Sequence, residues 1–84
     1  MENGQIKLFG TSWCGDTRRT REYLEINEIP FQWIDIDEDE AAAEIVKQIN
    51  NGYKSVPTII FPDGSTLTEP SLFVLKEKLA NFNK

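Results

Sequence analysis

The sequence contains no histidine and a single cysteine, Cys14, among its 84 residues. One cysteine cannot form an internal disulfide, and without histidine the chain lacks the usual ligands of a structural metal site. Positive charge is also scarce, because 9 Lys and Arg stand against 14 Asp and Glu, for a net charge of −5. Nucleic-acid binding needs clustered positive charge, so this balance argues against it. We expect a small core held by packing alone, with no metal.

Long apolar runs are missing as well. No stretch approaches the roughly 20 apolar residues that cross a bilayer. The first five residues also lack the basic and apolar segments of a signal peptide. We therefore expect a cytoplasmic protein without membrane contact, and the chain length predicts one domain over residues 1–84.

The segments that are present predict the element order β-α-β-α-β-β-α. Short apolar or β-branched runs predict strands at residues 6–9, 31–36, 58–61 and 66–68. The second of these runs is apolar on both faces, which predicts cover from helices on both sides. Pro62-Asp63-Gly64 predicts the turn of an antiparallel hairpin. The predicted fold class is an α/β three-layer sandwich with a mixed four-stranded sheet.

Three helices are predicted between and after these strands. The first covers residues 15–28, and the second covers residues 41–49, with Asp37 and Glu40 as a capping box. The third begins with Pro70 in its first turn. Its predicted buried face consists of Leu72, Val74, Leu75, Leu79 and Phe82.

Cys14 lies between the first strand and the first helix, in Gly10-Thr11-Ser12-Trp13-Cys14-Gly15-Asp16-Thr17. A lone cysteine in a small domain is more often a packed core residue. At the start of a helix, however, unpaired backbone N–H groups and the peptide dipoles stabilise a thiolate. This position predicts a reactive thiol, with neighbouring Trp13 either packed or part of a substrate surface.

Three segments carry a resemblance to the glutaredoxins of the thioredoxin superfamily, closest to the short bacterial glutaredoxin-like proteins that include the mycoredoxins. The segments are Thr11-Ser12-Trp13-Cys14, Ser55-Val56-Pro57-Thr58 and residues 63–71. The resemblance implies a thioredoxin-like fold and thiol-disulfide exchange at Cys14. It also implies a cis bond between Val56 and Pro57, and a Val56 backbone that pairs with a peptide or thiol cosubstrate. The residues alone leave an ordinary trans proline open.

Thr17 stands where glutaredoxins with two active cysteines have the second one. The two positions share a helix face, so a thiol at residue 17 could attack a mixed disulfide on Cys14, and a threonine cannot. The expected chemistry is therefore a monothiol mechanism, in which an outside thiol resolves the mixed disulfide. The predicted catalytic residues are Cys14 and Thr17, whose hydroxyl could donate a hydrogen bond to the sulfur anion.

The cosubstrate is expected to be glutathione or another small thiol, such as mycothiol or bacillithiol, and no tightly bound cofactor is expected. Thr11 occupies a position where glutathione-using relatives often have a lysine. The segment Thr68-Glu69-Pro70-Ser71 matches the place where the last helix of the family meets a cosubstrate carboxylate, which Glu69 would weaken. The predicted substrate-binding residues are Thr11, Trp13, Val56, Pro57, Thr68 and Glu69.

Two other functions stay open beside this oxidoreductase. Some monothiol glutaredoxins carry a [2Fe–2S] cluster between two subunits, and Cys14-Gly15-Asp16-Thr17 shares the glycine and a hydroxyl residue with their motif. The second alternative is a redox-silent binding module with the same groove. For the oxidoreductase, the expected partners are thiol-capped or disulfide-containing proteins, met by a monomer.

Overall fold

The computed structural model describes residues 5–82, and the predicted element order is confirmed. The elements are β1 (Ile6–Gly10), α1 (Gly15–Ile26), β2 (Phe31–Asp35), α2 (Glu40–Ile49), β3 (Thr58–Ile60), β4 (Thr66–Thr68) and α3 (Leu72–Phe82). The strands form one mixed sheet in the order β2-β1-β3-β4. The β1–β2 pair is parallel, and the β1–β3 and β3–β4 pairs are antiparallel.

Helices cover both faces of this sheet, which gives the three predicted layers. On one face, side chains of β1 and β3 pack against Leu24 of α1 and against Leu75 and Leu79 of α3. On the other face, Phe9 packs with Ala42 and Val46 of α2. Alternate residues of β1 thus enter two different cores, because successive side chains of a strand point to opposite faces.

The strand β2 lies at the edge of the sheet. Phe31 and Trp33 join one core and Ile34 joins the other, as its apolar faces predict. None of its five residues is fully buried, however. A strand at the edge has a neighbour on one side only, so cover from both faces leaves its side chains half-buried.

The helix ends differ from the predicted ones. The N-cap of α2 is Asp39, whose side chain accepts a hydrogen bond from the N–H of Ala42 at 3.1 Å, so the predicted capping role of Asp37 is wrong. The helix α3 begins after Ser71, whose hydroxyl accepts from the N–H of Val74 at 3.2 Å, and Pro70 precedes the helix instead of opening it.

The predicted buried face of α3 is partly wrong as well. Leu75 and Leu79 are buried, but Leu72 and Val74 are exposed, and the side chain of Phe82 lies outside the described residues. Residues 75 and 79 are one helical turn apart and share a face, whereas residue 74 is turned about 100° away from residue 75.

The hairpin turn is built as predicted. Asp63 accepts hydrogen bonds from the backbone N–H and the hydroxyl of Ser65, and Gly64 has a φ of 91°. Within residues 5–82, no helix has the length and the apolar composition needed to cross a membrane.

Candidate active site

The register of the sheet brings Cys14 and the Val56-Pro57 segment to the same end of the neighbouring strands β1 and β3. Phe9, near the end of β1, pairs with Thr58, the first residue of β3. Because these strands are antiparallel, the turn that leaves β1 and the segment that enters β3 lie side by side. Two segments more than 40 positions apart in the sequence therefore meet.

Cys14 is the N-cap residue of α1. Its backbone is extended, its carbonyl accepts the first helical hydrogen bond from Arg18 at 3.0 Å, and its side chain is half-buried. Its sulfur therefore lies where the side chain of an N-cap residue meets the free N–H groups of the first helical turn.

The pKa of the Cys14 thiol is lowered from its ordinary value. Partial burial acts to raise this pKa, but the Thr17 hydroxyl and the backbone N–H groups of Thr17 and Asp16 together outweigh it. The carboxylate of Asp16 also acts to raise the pKa, and that carboxylate is paired with Arg19. Burial is the largest single influence, but the hydrogen bonds to the charged form together make the pKa fall, as the helix-start position predicts.

Thr17 lies in the first turn of α1 and is fully buried, with 1% of its surface exposed. Its hydroxyl has no hydrogen-bond partner among residues 5–82. The neutral thiol is a weak acceptor, and ionisation turns the sulfur into a strong one. The Thr17 hydroxyl is therefore available to the anion and to little else.

Thr11 lies deeper than the substrate surface. Its side chain is 2% exposed, and its hydroxyl also lacks a partner within the described part of the chain. Its carbonyl accepts a hydrogen bond from the N–H of Cys14 at 3.4 Å, so it shapes the turn before the helix. The part of Thr11 in cosubstrate binding stays a prediction.

The Val56-Pro57 peptide bond is cis, as the resemblance implies. The ring of Pro57 is buried, whereas Val56 is half-buried and its backbone N–H and carbonyl make no hydrogen bond within residues 5–82. The carbonyl of Pro57 accepts from the N–H of Glu69 at 2.8 Å. The free backbone of Val56 can therefore pair with an extended ligand, as the edge of a sheet does.

Hydrogen bonds from the side chain of Asn50 stabilise this segment. Its side-chain amide donates to Thr58 Oγ1 at 3.0 Å and accepts from Thr68 Oγ1 at 2.7 Å. Thr58 Oγ1 in turn donates to the carbonyl of Ser55 at 2.8 Å. One side chain at the C-terminal end of α2 thus connects the start of β3, the end of β4 and the segment that contains Val56.

The corner between β4 and α3 forms the third side of the site. Glu69 has a φ of 48°, a left-handed conformation that costs a residue with a side chain about 1 to 2 kcal/mol. A groove of about 340 Å³ runs from this corner to the first turns of α1. Charged or hydroxyl side chains that line it include Asp16, Arg19, Glu69 and Ser71. Glu69 thus faces the same groove as the first turns of α1, and the part of Thr68 and Glu69 in substrate binding stays a prediction.

Trp13 is exposed over 70% of its surface, and its ring is held in place at one end. The indole N–H donates to the carboxylate of Asp37 at 2.8 Å, in the loop that follows β2. The ring is therefore a fixed apolar surface beside Cys14, rather than a core residue. Its part in substrate binding stays a prediction.

Sequence reasoning missed two residues of this site, Asn50 and Gly10. The role of Asn50 could not be recognised, because an asparagine shortly before Gly52 is an ordinary helix end. The sequence gives no sign of its hydrogen-bond partners in β3 and β4. In the sequence, Gly10 marks only the end of the first strand. A methyl group on its Cα would overlap Thr17, so the glycine permits this close approach.

A thiolate-favouring helix start opposite a cis proline, in a sheet of order β2-β1-β3-β4, defines a thioredoxin-like protein. Solved structures agree with this class. The chain is similar to the thioredoxin-like protein BC3987, with a TM-score of 0.75, 22% identity, and 87% and 97% of the two chains covered. It is also similar to a glutaredoxin from Archaeoglobus fulgidus, with a TM-score of 0.75, 28% identity, and 88% and 84% covered.

The glutaredoxin family model matches residues 6–65, and the chain belongs to this family. A Mycobacterium tuberculosis protein that is named provisionally as a glutaredoxin is 43% identical over 79 residues, which cover 94% of both chains. Mycoredoxin 1 of Corynebacterium glutamicum is 37% identical over 65 residues, which cover 77% of this chain and 80% of the relative.

Proposed function

We propose that the protein is a glutaredoxin-type thiol-disulfide oxidoreductase that works through one cysteine, on disulfides between a protein and a small thiol. The observation that carries the proposal is the Cys14 sulfur at the start of α1, with a lowered pKa and no second cysteine in the chain. A thiolate is the nucleophile of disulfide exchange, and a chain with one thiol cannot release its own mixed disulfide.

The reaction has two exchange steps. In the first, the Cys14 thiolate attacks the small-thiol sulfur of the mixed disulfide, and the substrate protein leaves as its thiolate. In the second, the thiolate of another small-thiol molecule attacks that same small-thiol sulfur, now bound to Cys14. A disulfide of two small thiols leaves and the Cys14 thiolate returns. In the net reaction the sulfur of the substrate protein is reduced to a thiolate, and the sulfur of the incoming small thiol is oxidised.

The Thr17 hydroxyl favours the thiolate both before attack and when it leaves. A hydrogen bond to a charged group contributes about 1.5 to 3 kcal/mol, against 1.36 kcal/mol for one pKa unit. The hydroxyl and the backbone N–H groups of the first helical turn are therefore sufficient to lower this pKa without a positively charged neighbour. The free backbone of Val56 aligns the disulfide by pairing with the main chain of the substrate.

The cosubstrate proposed here is a small thiol with few or no carboxylates, such as mycothiol. The groove between the first turns of α1 and the corner before α3 contains the carboxylates of Asp16 and Glu69, and one arginine, Arg19, which is paired with Asp16. A doubly carboxylated thiol such as glutathione meets repulsion there, since like charges a few ångströms apart disfavour each other. The similarity to a mycoredoxin supports this choice. The proposal further includes a monomer in the cytoplasm, where reductants keep the thiol free.

Turnover of a small mixed disulfide tests the function. We expect activity with at least one of glutathione, mycothiol and bacillithiol, and loss of that activity in Cys14→Ser. Glu69→Gln should raise the rate with glutathione and leave the rate with mycothiol unchanged, because only glutathione meets the removed charge with a carboxylate. Lack of turnover with every thiol would contradict the proposal.

Thr17→Cys supplies the complementary test. A cysteine at this position shares a helix face with Cys14, so the variant should reduce ordinary protein disulfides, which the wild-type protein reduces poorly. Anaerobic cluster reconstitution of the wild-type protein serves as the check on the alternative. A stable visible absorption band together with absent exchange activity would favour the cluster carrier.

A further inference from the structure

Gly10 and Thr17 approach each other more closely than two residues with side chains could. Gly10 is the last residue of β1, and Thr17 belongs to the first turn of α1. A methyl group on Gly10 would overlap Cγ2 of Thr17, and it would lie 2.8 Å from Oγ1 and 3.2 Å from Cβ. Gly10 is not among the glycines with positive φ. The site therefore requires the missing side chain and not an unusual backbone.

The space left by Gly10 is filled by a polar group that the fold itself does not use. Thr17 is 1% exposed, and its hydroxyl has no hydrogen-bond partner among residues 5–82. The same hydroxyl is one of the groups that lower the pKa of the Cys14 thiol. A buried hydroxyl without a partner is costly, and most are satisfied in native proteins. A sulfur anion at the start of the helix is the acceptor at hand.

We propose that Gly10 is a positioning residue for thiol-disulfide exchange, because its lack of a side chain lets Thr17 hold its hydroxyl against the Cys14 sulfur anion. The proposal rests on the exchange function proposed above. Gly10 touches no substrate and acts through Thr17 alone. A glycine needed for packing alone would affect stability, whereas a positioning glycine also affects the ionisation of Cys14.

The test is the variant Gly10→Ala, with Cys14 alkylation by iodoacetamide measured across pH. The added methyl group must displace the Thr17 side chain, so the midpoint of the alkylation profile should move to higher pH. Well below the wild-type midpoint the thiolate fraction should fall about 10- to 150-fold, as expected for the loss of one hydrogen bond to a charged group. An unchanged midpoint in a folded Gly10→Ala protein would overturn the inference.

Thr17→Val provides the matched background. Valine keeps the bulk of threonine and lacks the hydroxyl, so Gly10→Ala should destabilise this variant as well but leave its midpoint in place. If the methyl group moved the midpoint equally in both backgrounds, Gly10 would act on Cys14 by another route, and the inference would fail.

A second pair of variants covers the case in which Gly10→Ala does not fold. Thr17→Ser removes the Cγ2 atom that the methyl group overlaps and keeps the hydroxyl. Adding Gly10→Ala to Thr17→Ser should then give a folded protein, and its midpoint should lie above that of Thr17→Ser alone, because the new methyl group still crowds Oγ1. Equal midpoints in this pair would contradict the inference.

Alkylation and turnover separate the two proposals, because iodoacetamide reacts with any accessible thiolate. If the wild-type protein shows turnover but Gly10→Ala leaves the alkylation midpoint unchanged, the role of Gly10 is overturned and the exchange function is kept. A midpoint shift in a protein without turnover would overturn the exchange function and keep the steric control of Thr17 by Gly10.

Discussion

Truncation of Asn50 should both destabilise the protein and loosen its site. Asn50→Ala removes the amide that donates to Thr58 and Val46 and accepts from Thr68. A hydrogen bond contributes about 0.5 to 1.5 kcal/mol net, so the bonds to the two threonines together should be worth about 1 to 3 kcal/mol. For a domain of this size, that loss lowers Tm by about 5 to 20 °C.

A matched control is available at the end of α1. The side chain of Asn27 donates to the carbonyl of Tyr23 at 2.8 Å, as that of Asn50 donates to the carbonyl of Val46 at 2.9 Å. Both asparagines cap a helix, but only Asn50 reaches the strands. The difference in free energy of unfolding between Asn50→Ala and Asn27→Ala therefore isolates the bonds between α2 and the sheet.

Urea unfolding gives these free energies, and exchange kinetics give the effect on the site. Asn50→Ala should raise KM for the mixed disulfide, because Thr58 and Ser55 lose the support that fixes the segment before Pro57, while Asn27→Ala should leave KM unchanged. If both variants lost the same free energy and kept the wild-type KM, Asn50 would be a helix cap and nothing more.

Three further predictions concern other parts of the chain. Glu69→Gly should raise the free energy of unfolding by about 0.5 to 1 kcal/mol in urea unfolding, because glycine adopts positive φ without strain; Glu28→Gly, at a φ of 56°, should do the same away from the site, and a loss of stability in both would refute this reasoning. Because the pKa of Cys14 is lowered in the folded protein, its thiolate adds to the free energy of unfolding above the unfolded-state pKa of about 8.5, and this contribution is lost as pH falls through the folded-state pKa. Denaturation curves should therefore show the wild-type protein losing stability relative to Cys14→Ser as pH falls over that range. Equal pH dependence of the two proteins would count against a stabilised thiolate. Trp13→Phe and Asp37→Ala should lower kcat/KM to the same extent, with no further loss in the double variant, because each breaks the one bond that fixes the ring; additive losses would show that the two side chains act separately.

Much of the fold could be predicted because its signals are local. The hairpin depends on Pro62-Asp63-Gly64, and the bonds of Asp63 to Ser65 and the positive φ of Gly64 form within that short segment. The buried face of α3 was predicted less well. Leu72 and Val74 are as apolar as the residues of the core. They stay exposed because of the direction in which the helix docks on the sheet, which the sequence does not show.

The same contrast holds within the site. The importance of Cys14 follows from its place before a helix, since the free N–H groups that stabilise its thiolate belong to the next few residues. The capping role given to Asp37 was wrong because both Asp37 and Asp39 precede the same helix, and Asp39 is the residue that caps it. Asp37 instead accepts from Trp13, and this hydrogen bond joins loops that follow two different strands, which no local pattern predicts.

The sequence by itself determined the element order, the position of the one thiol at the start of a helix and, through family resemblance, the cis bond before Pro57. Only the tertiary structure decided that Gly10 makes room for Thr17 and that Asn50 connects α2 with β3 and β4. These contacts depend on the register of strands and the docking of helices that are far apart along the chain. No local pattern of residues carries that information.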